Sequence, residues 1–326
     1  MRKPLRLLPA LLAASALFGA ALPAISQTQT TQAPAASAPA AAGPQVDYAS
    51  FNSPALGREL KFAVLLPDSY EKETKRKYPV LYFLHGMNGN EGEFQKRGVA
   101  AAVAKLQEQG KLGELIIIAP AGQNSFYLNA KNGARYEDAI IQDLIPHVEK
   151  TYRTVGNASG RAIQGLSMGG FGALLLAFKH PEMFSSVSAH SSALFAELPN
   201  TTGNDRRSQF MAQLVGRIFG DPPDDAFFRS NNPFFLGETN AAAIKKSGIK
   251  IYFDVGEQDR YGFQGANKSF DESLTKAGIA HEYHMFPGGH GWEYMISVAD
   301  KSYEFLWKSF KAGVKDQPAG RPRASR

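Results

Sequence analysis

The residues Gly165-Leu166-Ser167-Met168-Gly169-Gly170 set a serine in the pattern G-x-S-x-G. A serine hydroxyl attacks a carbonyl only when a base takes its proton and dipoles receive the negative charge that develops. A sharp strand-to-helix turn supplies part of this. It strains the serine backbone, lifts the oxygen clear and sets it at a helix amino end, where the dipole favours an anion. Glycine is needed at 165 and 169, because a β-carbon at either place collides with the adjacent strand or helix. The tetrahedral oxyanion needs two backbone N–H donors. One is expected at Met168, directly after the serine. The second is expected at Met87, in the loop His85-Gly86-Met87-Asn88-Gly89-Asn90, whose glycines let the backbone approach closely.

Seven histidines are available as the base. His290 lies in Pro287-Gly288-Gly289-His290-Gly291-Trp292, a glycine-rich loop with no core role of its own. His281 and His284 fall in a strand pattern, and His147 and His180 lie near helix ends. His85 ends a strand and is expected to pack or hydrogen-bond near the site. The base needs an orienting carboxylate, and Gly256-Glu257-Gln258-Asp259-Arg260-Tyr261 provides candidates. Asp259, in the loop, is preferred. Asp254, still inside the strand, and Glu257 remain alternatives. The chain order serine, acid, histidine is that of the α/β-hydrolases.

These residues sit where an alternating chain would place them. Apolar runs at 62–67, 80–84, 115–119, 162–166 and 249–255 have buried-strand length, and 281–286 forms a later strand. Helical patterns span about 92–109, 137–152, 170–180, 264–277 and 293–310. The alternation predicts an α/β fold, a mostly parallel central sheet with helices on both faces and an antiparallel edge near Tyr48–Leu66. Sites in such sheets lie at the carboxyl ends of the strands. Residues 194–246 interrupt the pattern with Phe195, Phe210, Phe219, Phe227, Phe228, Phe234 and Phe235. They read as a helical insert with its own small core or as a lid over the sheet edge. Tyr127 and Trp292 are expected to flank the pocket and touch substrate.

Composition narrows the rest. The chain has 326 residues, 44% hydrophobic and 20% charged, with a net charge of +6. Arg2, Lys3 and Arg6 account for part of that excess, and Lys311, Lys315, Arg321, Arg323 and Arg326 for more, against Asp316 alone. The body between is close to neutral, which removes the basis for a nucleic-acid reading. No cysteine is present, which excludes disulfides, thiolate metal sites and cysteine nucleophiles. Residues 1–26 have the pattern of a secretory signal: basic start, short apolar stretch, and small residues ahead of a cleavage before Gln27. Residues 27–45 read as a disordered linker, 46–312 as the catalytic domain and 313–326 as a disordered basic tail. The expected location is secreted or periplasmic, with no membrane span after cleavage.

From about Tyr48 to Trp307 the sequence resembles the putative-esterase family of α/β-hydrolases, which includes feruloyl esterases, S-formylglutathione hydrolase (esterase D) and the antigen 85 mycolyltransferases. The matching stretches are Phe83-Leu84-His85-Gly86, Tyr136-Glu137-Asp138 leading into Asp143-Leu144-Ile145-Pro146, Gly165–Gly170, Gly256–Asp259 and Pro287–Trp292. The resemblance puts nucleophile, acid and base on Ser167, Asp259 and His290, and the oxyanion donors on Met87 and Met168. It implies a serine carboxylesterase for short-chain or aryl esters, including those of carbohydrates, with no metal or organic cofactor. Acyl transfer to a sugar hydroxyl, thioester hydrolysis of the formylglutathione kind and non-catalytic surface binding are the alternatives. A secretory signal separates the protein from the cytosolic glutathione thioester.

Overall fold

A hairpin opens the described chain: β1 (Val46–Ser53) runs antiparallel to β2 (Arg58–Leu65). The computed structural model describes residues 44–198 and 202–310. The expected signal segment 1–26 and tail 313–326 lie outside those residues, as does nearly all of the expected linker. Six more strands follow: β3 (Val80–Leu84), β4 (Ile116–Pro120), β5 (Arg161–Leu166), β6 (Ser186–His190), β7 (Lys250–Gly256) and β8 (Glu282–Phe286). They form one sheet in the order β1-β2-β4-β3-β5-β6-β7-β8. Only the β1–β2 and β2–β4 pairings are antiparallel; from β4 to β8 every pair is parallel.

The sheet is buried on both faces at its centre, where β3 and β4 are apolar at every position. Val80, Tyr82 and Leu84 join one core with Ile116, Ile118 and Ile163. Leu81 and Phe83, pointing the other way, join a second with Ile117, Ala162 and Leu166. The strand period of two assigns each side chain to its layer. Burial of each large apolar side chain contributes roughly 1.5–3 kcal/mol. The helix Met168–Lys179 lies on the first face, and its residues from Met168 to Phe178 are all buried. The helix Ala299–Ser309 lies on the second through Tyr303 and Leu306.

Three expected helices are not single. The run 92–109 breaks at Gly98, whose φ of +83° ends one helix before Val99–Glu108 begins. The run 137–152 carries a π-helical segment, Ala139–Leu144. The last divides at Val298 into Trp292–Ser297 and Ala299–Ser309. β6 was not expected from the sequence. Among the described residues, 194–247 contain four helices: Arg206–Phe219, Asp225–Ser230, Pro233–Thr239 and Ala241–Ser247. Asp224 and Asn232 cap the second and third by accepting the N–H of Phe227 (2.9 Å) and Phe234 (3.0 Å). Phe219, Phe228, Leu236 and Ile244 are buried and belong to the same core as the sheet, so these helices extend the main core and do not build a separate one. Among the described residues no helix is long and apolar enough to cross a membrane.

Candidate active site

Ser167 stands between β5 and the helix Met168–Lys179, with φ 58° and ψ −115°. A residue with a β-carbon pays for such a left-handed conformation with strain, so its surroundings must hold it. They do so through the backbone. The Ser167 N–H donates to the His190 carbonyl at 2.8 Å, and its own carbonyl accepts from Phe171 (3.0 Å) and Ala193 (3.1 Å). A β-carbon on Gly165 would collide with the Gly169 carbonyl, and one on Gly169 with the Leu84 carbonyl. The glycines therefore let helix, elbow and the end of β3 close on one another. The serine side chain makes no capping bond to the helix it precedes, which leaves the hydroxyl at the positive end of the helix dipole.

The loops that carry the candidate acid and base follow β7 and β8. Asp259 and His290 meet: Nδ1 of the imidazole lies 2.7 Å from Oδ2 of the carboxylate. The other carboxylate oxygen accepts the Tyr261 N–H at 2.9 Å. The Asp259 side chain is fully buried and that of His290 is 8% exposed. With Nδ1–H donating to the carboxylate, Nε2 is the nitrogen that can take a proton. The two loops are tied together. Glu257 N–H donates to Phe286 O (2.9 Å), Gln258 N–H to Gly288 O (2.9 Å), and Gly288 N–H to Gln258 Oε1 (2.8 Å). Gly256 has no room for a β-carbon against the Gly288 and Gly289 carbonyls. Of the two alternative acids, Glu257 is exposed and accepts from its neighbour Gln258, while Asp254 faces His190 inside the sheet.

The loop after β3 lies against the elbow: a β-carbon on Gly86 would stand 3.5 Å from Ser167 Cβ. Among the described residues no hydrogen-bond acceptor is found for the N–H of Met87 or Met168. The loop is braced from behind. His85 is buried, with Nδ1 2.7 Å from Gly86 O and Nε2 accepting the Gly122 N–H at 2.8 Å. Burial holds this imidazole below its ordinary range, so it stays neutral and keeps both bonds. Asn88 N–H donates to Asn124 Oδ1 (2.7 Å), and Asn124 Nδ2 returns a bond to Asn88 Oδ1 (2.8 Å).

Tyr127 belongs to this brace and does not line a pocket. It is fully buried, its hydroxyl donates to His85 O at 3.1 Å, and its ring fills the space left by Gly122 and Gly172. The positive φ of Phe126 and Tyr127 turns the chain inward there. Trp292 is half-buried and packs on Phe83, with ring centroids 6.0 Å apart. The aromatic residues beside the base are ones the sequence reading passed over. Tyr261 is 46% exposed and meets the His290 ring edge-on at 4.6 Å, and Phe263 stands 5.6 Å from it. Their signal was position: Tyr261 is two residues after the acid, in the same loop.

A cavity of about 840 Å³ lined by Lys250, His284, Phe286, Lys301 and Phe305 lies across β7, β8 and the last helix, and none of Ser167, Asp259 or His290 lines it. A smaller one, about 220 Å³, adjoins the brace and is lined by Gln123, Asn124, Tyr136 and Arg217. Among the described residues no cluster of three or more His, Cys, Asp or Glu is spaced to hold a metal ion. A free hydroxyl, a hydrogen-bonded imidazole–carboxylate pair and backbone amides suit acyl-group chemistry.

Comparison with known proteins agrees. The profile of a family described as Putative esterase matches residues 53–298. An esterase of Mycobacterium tuberculosis is 32% identical over 269 residues, covering 76% of this chain and 56% of that protein, so the chain spans about half of that relative's length. An acetyl esterase of Caldicellulosiruptor saccharolyticus is 26% identical over 267 residues, covering 79% of this chain and 97% of that one. The solved structure of a ferulic acid esterase superposes with a TM-score of 0.68 at 27% identity, covering 82% of this chain and 98% of that one.

Proposed function

The chain belongs to the putative-esterase family, and from that premise we propose that it is a serine carboxylesterase acting through Ser167, His290 and Asp259. The observation that carries this is the 2.7 Å bond between His290 Nδ1 and Asp259, on loops that follow parallel strands at the same carboxyl edge of the sheet as the strained Ser167. His290 Nε2 takes the hydroxyl proton as Ser167 Oγ attacks the ester carbonyl. Asp259 holds the imidazole in the required tautomer and stabilises its cation. The oxyanion receives the Met87 and Met168 N–H groups, each worth on the order of a hundredfold to a thousandfold in turnover. His290 then gives the proton to the departing alcohol. Water, deprotonated by the same imidazole, releases the acid and restores Ser167.

The substrates we propose are short-chain or aryl esters, those of carbohydrates included. The exposed Tyr261 ring beside His290 offers a flat apolar wall, against which an acetyl group fits and a hydroxycinnamoyl ring stacks. We further propose export from the cytoplasm, on the pattern of residues 1–26; cell fractionation with amino-terminal sequencing of the mature protein tests it. The activity test is a screen of p-nitrophenyl, feruloyl and acetyl-sugar esters with wild type and Ser167→Ala. The variant is expected to keep its circular dichroism and lose several powers of ten in turnover. Residual activity above about one percent of wild type would remove Ser167 from the mechanism.

A further inference from the structure

A second histidine–carboxylate pair lies inside the sheet, beneath the nucleophile. Leu166, His190 and Asp254 are register partners across the carboxyl ends of β5, β6 and β7. The side chains of His190 and Asp254 are completely buried, with His190 Nδ1 3.0 Å from both carboxylate oxygens. Asp254 accepts two further bonds, from Tyr252 OH (2.9 Å) and Tyr294 OH (3.0 Å). Burial, and after it the neighbouring Asp254 charge, raises both phenols above their ordinary range, so both remain donors. On the far side of the imidazole, Nε2 lies 3.2 Å from the Gln164 amide nitrogen.

The proposed reaction uses none of these groups, yet each is fixed to a part of the triad. His190 offers its carbonyl to the Ser167 N–H. The next residue, Ser191, has a φ of +43°, a second strained backbone directly under the first, and its N–H donates to the Asp254 carbonyl at 2.7 Å. Asp254 itself is five residues ahead of Asp259 on the strand that feeds the acid loop. Tyr294 is four residues beyond His290, on the helix that ends the base loop, and its ring fills the space beside Gly288. One buried carboxylate thus joins the three segments that carry the serine, the acid and the base. A left-handed serine relaxes unless its neighbours over-determine it, and the segment that clasps Ser167 is itself anchored by the His190 side chain.

We infer that His190 and Asp254 are positioning residues, which hold the nucleophile elbow in register with the acid and base loops. This rests on the serine-esterase reading given above. Misplacing a reacting group by about an ångström costs on the order of a hundredfold in rate, while substrate affinity depends on other contacts. The test compares His190→Leu with His190→Asn. The two replacements share the same branched outline of heavy atoms, with leucine the bulkier, so leucine fills the site better and only the asparagine amide can donate to Asp254. Rates of fluorophosphonate labelling at Ser167 and kcat and KM on p-nitrophenyl acetate are measured well below the melting temperature of each variant. His190→Leu is expected to slow labelling and kcat by about tenfold to a hundredfold with KM within about twofold, and His190→Asn to label at least about fivefold faster than His190→Leu. Equal rates in the two variants, or wild-type kcat in His190→Leu, would overturn the inference. Should His190→Leu fail to fold, Asp254→Asn carries the same test at constant volume. A loss of about tenfold in labelling at unchanged KM supports the inference, and a wild-type rate sinks it. Wild-type protein that is not labelled at Ser167 at all would instead overturn the esterase reading.

Discussion

Two histidines in this protein present Nδ1 to an aspartate, at 2.7 Å in one pair and 3.0 Å in the other. His290 and Asp259 sit on loops that follow β8 and β7, and among the described residues Nε2 of the imidazole has no hydrogen-bond partner. His190 and Asp254 sit in the sheet, and Gln164 and Ser188 close off Nε2. The local chemistry is nearly the same, and the difference is access. A base must have one nitrogen held and the other free for a proton in transit. When both nitrogens are engaged and no solvent reaches them, the same pair becomes a fixture.

Isosteric changes break the comparison most sharply. Asp259→Asn is expected to lower turnover by orders of magnitude, because the amide no longer favours the required His290 tautomer and cannot stabilise its cation. Glu257→Gln, an exposed change in the same loop, should leave kcat within about twofold of wild type. Steady-state kinetics of the two variants decide the matter. A larger loss in Glu257→Gln than in Asp259→Asn would return the acid to the alternatives the sequence left open.

The small accessible edge of the His290 ring sharpens the comparison further. Tyr261, itself 46% exposed, packs edge-on against His290, whose side chain keeps 8% of its surface where that of His190 keeps none. An edge-to-face aromatic contact is worth about 0.5–1.5 kcal/mol, so Tyr261→Ala is expected to raise KM for aryl esters by about threefold to tenfold. KM for acetyl esters should move less. An equal change on both ester classes would mean that Tyr261 supports the imidazole without meeting substrate.

The smallest expected effect concerns the other buried histidine. His85 is held neutral by burial, below its ordinary range. As pH falls through that ordinary range the unfolded chain takes a proton that the folded chain refuses. Stability therefore falls with pH there, and the contribution is present in full only above the unfolded value. His85→Gln should flatten this acid limb in thermal melts between about pH 7 and pH 5. An unchanged slope would show that His85 does not remain neutral.

The loop pair was legible in the sequence and the sheet pair was not, for physical reasons. Glycine and proline punctuate loops that must approach one another closely, so Gly165–Gly170 and Pro287–Trp292 announced themselves. β6 has the sequence Ser186-Val187-Ser188-Ala189-His190, too polar to read as a buried strand, because its side chains satisfy one another inside the sheet. Hydrogen bonding among distant residues leaves no periodicity to find. Tyr127 misled for a related reason. An aromatic residue after a strand end looks like a pocket wall, and only the left-handed backbone at Phe126 and Tyr127 sends the ring into the core. The phenylalanines of 194–246 were plainly apolar, but sequence does not say whether a helix completes the main core or forms its own.

The loop pair of His290 and Asp259 is the one proposed to activate Ser167. Mass spectrometry after treatment with a fluorophosphonate tests it most directly, on wild type and on His290→Ala. We expect a single adduct per chain, mapped to Ser167, formed orders of magnitude more slowly when the imidazole is removed. An adduct on another residue, or one that forms on Ser167 equally fast without His290, would contradict the account.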